Sequence, residues 1–162
     1  MIYIVLGVSG SGKSTIGKAL ADRLSIDFYD ADDFHPPGNV NKMSQGIPLN
    51  DKDRYPWLEA MRSNFEEWSK SGVVLACSAL KEDYRKFLNE NSDKLVWIFL
   101  DGSLELIAER IKKRAGHFMK VDLLQSQFDA LEIPAYGIHI DIDQTPEQII
   151  DELVKKLTLE HD

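Results

Sequence analysis

Apolar residues along this chain fall into two kinds of run. Ile2 to Leu6, Val73 to Cys77, Leu95 to Leu100 and Ile138 to Ile142 are short, continuous and rich in β-branched side chains, the signature of strands covered on both faces. Ile26 to Asp30 is a shorter candidate strand that ends in acids. Between these runs, apolar positions return every three or four residues. Ile16, Leu20 and Leu24 mark one helix. Asp53 is placed to cap a second, which enters through Pro56, carries Trp57, Leu58, Met61, Phe65 and Trp68 on one side and stops at Gly72. A third runs from about Lys81 to Asn89. Ser103 caps a fourth that holds Leu104, Ile107, Ala108 and Ile111, and Val121 to Leu131 reads as a fifth. Thr145-Pro146-Glu147 opens the last, with Thr as cap and Pro as first helical residue. Residues 115–121 read as a loop. The stretch 31–52 holds Pro, Gly and Asn and is too long for a plain connector, so it is a candidate functional insertion. Alternating strands and helices predict a single α/β domain over residues 1–162: a five-stranded parallel sheet with helices on both faces.

One turn in this pattern carries chemistry. After the first strand, Gly7-Val8-Ser9-Gly10-Ser11-Gly12-Lys13-Ser14 fits G-x-x-x-x-G-K-[ST] without a mismatch. The flanking strand and helix are the context such a motif needs. Its glycines let consecutive N–H groups turn inward into an anion nest, and the helix aims its free N–H groups and positive dipole end at the same point. Lys13 is expected to reach the β/γ-phosphates of a nucleotide and the Ser14 hydroxyl to ligate Mg²⁺. Thr15 either caps the helix or touches the α-phosphate.

Composition narrows the partners. The chain has 162 residues, 43% of them apolar, and a net charge of −8, which argues against a nucleic-acid or acidic-membrane partner. An anionic substrate must therefore be held by local cations. No apolar run approaches the ~20 residues of a membrane span, and the first run has no basic leader. A single cysteine, Cys77, leaves no internal disulfide. These features suit a cytoplasmic protein.

Three further stretches add candidate site residues. Asp30, Asp32 and Asp33 lie just past the second strand, where a carboxylate can orient or deprotonate a substrate hydroxyl; His35, Asn39 and Lys42 extend this polar wall. Arg54, at the start of a helix, suits bidentate pairing with a carboxylate or phosphate, with Trp57 beside it as a core anchor. Arg110 and Arg114 share a helix face, and with His117 and the helix containing Gln127 they have the layout of a cationic lid over about 110–131.

Taken together, GVSGSGKST at 7–15, DADDFHPPGNVNKM at 30–43, GIPLNDKDRYPWL at 46–58, CSALKEDYR at 77–85 and HFMKVDLLQSQFDALEIP at 117–134 resemble the gluconate kinases, which stand with shikimate and adenylate kinases among small P-loop kinases. The resemblance implies the three-layer P-loop kinase fold, with a substrate-binding insertion over about 31–58 and a helical lid. It implies transfer of the γ-phosphoryl of ATP to the 6-hydroxyl of D-gluconate with Mg²⁺. It assigns the nucleotide to Gly7, Ser9, Gly10, Ser11, Gly12, Lys13, Ser14 and Thr15, with Arg110, Thr145 and Pro146 towards the adenine. Mg²⁺ falls to Ser14 with Asp30 behind it through water. Catalysis falls to Lys13, Asp32, Arg110 and Arg114, with Asp32 chosen over Asp30 and Asp33 as base. Gluconate falls to Asp32, His35, Arg54, Ser78, Lys81, Arg85, His117 and Gln127. Relatives of this kind make a homodimer the expected assembly. Ala31 stands where the family pattern often has Gly, a change that matters only if the position needs a positive φ. Another small-molecule kinase, of the shikimate or nucleoside-monophosphate type, and a non-catalytic nucleotide-binding module remain as alternatives.

Overall fold

The computed structural model describes residues 1–90, 94–113 and 121–160. Five strands, β1 (Ile2–Leu6), β2 (Asp27–Asp30), β3 (Val73–Ala76), β4 (Leu95–Asp101) and β5 (Ile138–Asp141), form one sheet in the order β2-β3-β1-β4-β5. Every pairing is parallel. The central strand shows why its sequence is apolar throughout. Ile2, Ile4 and Leu6 enter a core with α3 (Asp51–Arg62), α4 (Phe65–Ser71) and α5 (Glu82–Asn89). Val5 enters the opposite core, with α1 (Lys13–Leu24), α6 (Leu104–Lys113), α7 (Val121–Ala130) and α8 (Pro146–Glu160). Period-two alternation thus feeds two apolar layers, and no polar face is left over.

The register brings three chain segments level at the carboxyl edge. Val5 of β1 and Asp30 of β2 both pair with Ala76 of β3. The loop after β1, the acids after β2 and the turn after β3 therefore open onto one crevice, where ligands of open α/β sheets bind.

The 31–52 stretch, a candidate insertion, holds a 3-10 helix at Ala31–Phe34 and α2 at Pro37–Ser44. One helix needed revision: the single helix expected from Asp53 to Gly72 is two. It begins earlier, because Asn50 accepts from Asp53 N–H while the Asp53 side chain accepts from Asn50 N–H, so Asp53 completes a capping box and is not the cap itself. It breaks at Ser63-Asn64, where Ser63 Oγ and Asn64 Nδ2 both donate to Ala60 O, side chains competing for backbone acceptors. Gly72, with φ +81, ends α4. Ala31 is buried and is not among the described non-glycine residues with positive φ, which are Ser25 and Ala79; alanine is unstrained there.

Arg85 also departs from its expected role on the substrate. It is 1% exposed. Its guanidinium donates to Ala79 O at 3.1 Å, Leu80 O at 3.4 Å and Glu132 O at 2.6 Å, and it pairs with Glu82 at 3.0 Å. The β3–α5 turn, where Ala79 sits at φ +26, is thereby tied to the chain leaving α7. Every face of the ion is used, so none is left for a sugar acid. Arg85→Met leaves three carbonyls without their donor and should cost about 3 kcal/mol. A thermal melt should then show a Tm lower by roughly 6–12 °C; an unchanged Tm would remove Arg85 from this structural role.

Candidate active site

The glycine loop leaves β1 in a conformation its residue types require. Gly10 and Gly12 lie in the left-handed region, at φ +81 and +99. Gly10 is also a contact point: a Cβ there would stand 2.7 Å from Ile111 Cδ1, so the missing side chain lets α6 rest against the loop. Ser11 N–H bonds Val8 O at 3.2 Å, and the first helical bond of α1 is Ile16 N–H to Gly12 O. Ahead of that bond the N–H groups of α1's first turn have no acceptor within the helix. Lys13 Nζ bends back to Val8 O at 3.1 Å. Burial lowers the Lys13 pKa, while Asp32, Cys77 and Asp30 oppose that shift. This is a cation held among protein atoms and poised for an anion.

Ser14 Oγ donates to Asp30 Oδ2 at 2.9 Å, and the other Asp30 oxygen accepts from Asp32 N–H at 3.0 Å, capping the 3-10 helix. Asp32 is open to solvent on one side, but the cleft around it raises its pKa through burial, with Asp30 adding to the rise and Lys13 and His35 working against it. Among the described residues, no three His, Cys, Asp or Glu side chains gather tightly enough to hold a metal ion on their own. One hydroxyl and one carboxylate beside a phosphate cradle do fit Mg²⁺, which keeps most of its waters and takes its remaining ligands from phosphate oxygens. The cradle fits a triphosphate for the reasons just given.

The 31–58 segment builds the next wall. His35 stacks on Trp57 at 4.5 Å between ring centroids, and Trp57 Nε1 donates to Ala31 O at 2.7 Å. Asn39, buried, offers Nδ2 to Asp53 O at 2.8 Å and to His35 Nδ1 at 3.2 Å. With Nδ1 accepting, the neutral imidazole keeps its proton on Nε2. Burial lowers the His35 pKa; Asp32 raises it and Arg54 lowers it further. At neutral pH the ring is an uncharged donor. Lys42 pairs with Asp53 at 2.8 Å, locking α2 to the start of α3.

Arg54 extends from the first turn of α3. Its Nη1 is 3.1 Å from Tyr84 Oη, whose hydroxyl donates to Asp51. Lys81 approaches the same carboxylate at 3.9 Å. Burial and the Asp51 bond push the Tyr84 hydroxyl up to about 12, so it stays protonated, and that same bond lowers the Asp51 pKa. Arg54 and Lys81 therefore face one carboxylate on the α3–α5 seam. Asp51 and Tyr84, the partners of these two cations, are residues that sequence reasoning did not assign to the site. The spacing of Asp51 and Arg54 was the one available signal.

Other expected residues scatter. Ser78 lies two positions past the end of β3, beyond Ala76, the residue that pairs with Asp30. Arg110 Nη2 donates to Ile142 O, so its guanidinium sits beside the loop before α8. Thr145 caps that helix by accepting from Gln148 N–H, and Pro146 begins it. Gln127 bonds Ser9 in the glycine loop. Arg114 and His117 lie outside the described residues.

The sheet order, the loop and the acids after β2 define a small P-loop kinase. A family model described as shikimate kinase matches residues 9–158. The thermosensitive gluconokinase of Escherichia coli K12 is 49% identical over 134 residues, 82% of this chain and 72% of that one. The gluconokinase of Arabidopsis thaliana is 43% identical over 95% of this chain and 90% of its own. A crystal structure of a gluconokinase from Sinorhizobium meliloti 1021 superposes with a TM-score of 0.84 at 40% identity, covering 99% of this chain and 97% of that one. The chain belongs to the gluconokinases, within the shikimate kinase-like P-loop kinases. Lys13→Ala should lower kinase turnover by roughly 10²-fold or more, since a single preorganised charge contact of this kind is worth that much; steady-state ADP production checks it.

Proposed function

We propose that this protein transfers the γ-phosphoryl group of ATP to the 6-hydroxyl of D-gluconate, giving 6-phospho-D-gluconate and ADP. In this reading it is a Mg²⁺-dependent cytoplasmic enzyme that works as a homodimer. The observation that carries the reading is the corner where Asp32, its pKa raised, meets Lys13 and the Ser14–Asp30 pair. The cations for the acceptor are Arg54, on the adjoining 31–58 segment, and Lys81, just ahead of α5. The high identity to gluconokinases supports the choice of sugar acid.

The roles follow from charge and placement. The N–H groups of the loop and Lys13 hold the phosphates and take up charge as the phosphoryl group moves. Ser14 and Asp30 would hold Mg²⁺, which would supply further neutralisation of phosphate charge. Arg54, oriented by Tyr84, meets the gluconate carboxylate, and Lys81 stands by it. His35 offers Nε2–H to a sugar hydroxyl from the face of Trp57. Asp32 orients the 6-hydroxyl and accepts its proton. A raised pKa makes Asp32 a stronger base than an ordinary carboxylate, provided the pH lies above that pKa.

ADP release should be measured against gluconate, other sugar acids, shikimate and nucleoside monophosphates. The reading requires turnover with gluconate; turnover with shikimate or a nucleotide alone would make this a different kinase, and nucleotide binding without any transfer would make it a binding module. The base assignment gives a pH signature. Activity needs the charged form of Asp32, so kcat should fall as pH drops through a value above the ordinary carboxylate pKa. Asp32→Asn should lower kcat by about 10²- to 10⁴-fold and abolish that acid limb, with nucleotide affinity little changed. If Asp33→Asn has this effect instead, the base lies one residue further on.

A further inference from the structure

Gln127 does something the gluconate assignment does not explain. Its Oε1 accepts from Ser9 N–H at 2.6 Å and its Nε2 donates to Ser9 Oγ at 2.8 Å. One side chain from α7 thus takes the N–H and the hydroxyl of a residue inside the phosphate loop, 118 positions away in sequence. Ser9 adjoins Val8, whose carbonyl receives Ser11 N–H and Lys13 Nζ, and adjoins Gly10, which turns left-handed against Ile111. Holding Ser9 therefore holds the peptide that positions Lys13. Ser9 N–H, occupied in this way, is not one of the free amides of the cradle.

The helix needs such a fastening. Leu124 of α7 is buried in the core, and Phe128 of α7 borders a partly open pocket of about 140 Å³ that Val8, Gly102, Ile107 and Leu131 also line. The chain is fixed again just past α7, where Glu132 N–H bonds Leu80 O at 2.8 Å and Arg85 holds Glu132 O. Gln127 lies little more than one helical turn before this anchor. Its carboxamide is also neutral, and a carboxylate in its place would set a negative charge beside the phosphates.

We propose that Gln127 is a positioning residue of the phosphate loop, acting through Ser9 to hold Val8 O and Lys13 in place and to seat α7 over the bound nucleotide. The proposal rests on the kinase reading for its turnover arm only; the binding arm uses ADP alone and is independent of the acceptor.

The test is calorimetric ADP affinity in the full chain for Gln127→Ala, Gln127→Glu, Ser9→Ala and the Ser9→Ala/Gln127→Ala pair, with Gln125→Ala as control. Among the described residues Gln125 bonds Asp129, on the exposed side of α7. Loss of two neutral hydrogen bonds should weaken ADP binding about 10-fold in Gln127→Ala, and Ser9→Ala should weaken it less. The double variant should match Gln127→Ala within about twofold, because the two residues act as one unit. Gln127→Glu keeps size and shape, so it carries the test if Gln127→Ala melts too low to use. It should bind ADP more weakly than Gln127→Ala at low salt and recover part of that loss at high salt. In turnover, kcat and the KM for ATP should change while the KM for gluconate stays put. ADP affinity unchanged in both Gln127 variants would overturn the proposal, as would additive losses in the double variant. A change confined to the KM for gluconate would overturn it too and return Gln127 to the sugar acid. Wild-type protein that binds ADP but phosphorylates no sugar acid would refute the functional reading and leave the binding result to decide this one.

Discussion

The hydrogen bond from Ser14 to Asp30, 2.9 Å long, joins the two halves of the site, and the rest of the structure is arranged so that it can form. Ser14 is in the first turn of α1, after β1; Asp30 ends β2. The two strands are not neighbours, because β3 lies between them. Val5 and Asp30 come level only because both pair with Ala76 in a parallel sheet. A slip of one residue in either ladder would turn every side chain of that strand to the other face and part the hydroxyl from the carboxylate. Fold and phosphate chemistry are bound together at this point. The two apolar cores that hold the register also hold the site.

Four cations near the crevice divide into two kinds. Arg85 is buried and fully bonded, and fastens a strained turn to the exit of α7. Lys13, Arg54 and Lys81 are each held by a weaker or more open partner, Val8 O, Tyr84 and Asp51. An incoming anion can displace or outbid such partners, whereas stripping Arg85 would leave carbonyls unpaired in the interior. Buried partners, more than sequence position, therefore separate structural cations from those available to a ligand. The same distinction applies to Trp57, which anchors the core and also carries His35 on its face.

The sheet, its parallel strands and the phosphate loop were legible in the sequence, because each depends on local information. Short continuous β-branched runs bounded by turn residues read as strands covered on both faces, and Gly10 and Gly12 stand where the backbone turns left-handed. Helix limits were less legible. The break at Ser63-Asn64 and the start at Asn50 are set by side chains capturing backbone groups, which outweighed the apolar pattern running from Trp57 to Trp68.

Which long side chains face the crevice was decided by the tertiary structure alone. Arg85, Arg54 and Lys81 are equally plausible ligands when read as residue types near a candidate pocket. The contact of the β3–α5 turn with the chain after α7 buries the first, while Tyr84 and Asp51 hold the other two, which stay partly exposed. Gln127 belongs to the same class, since nothing within its helix signals a partner 118 residues earlier. Periodicity along a chain reports which face of an element is buried; it does not carry the distances between elements, and those distances give each of these polar groups its partner.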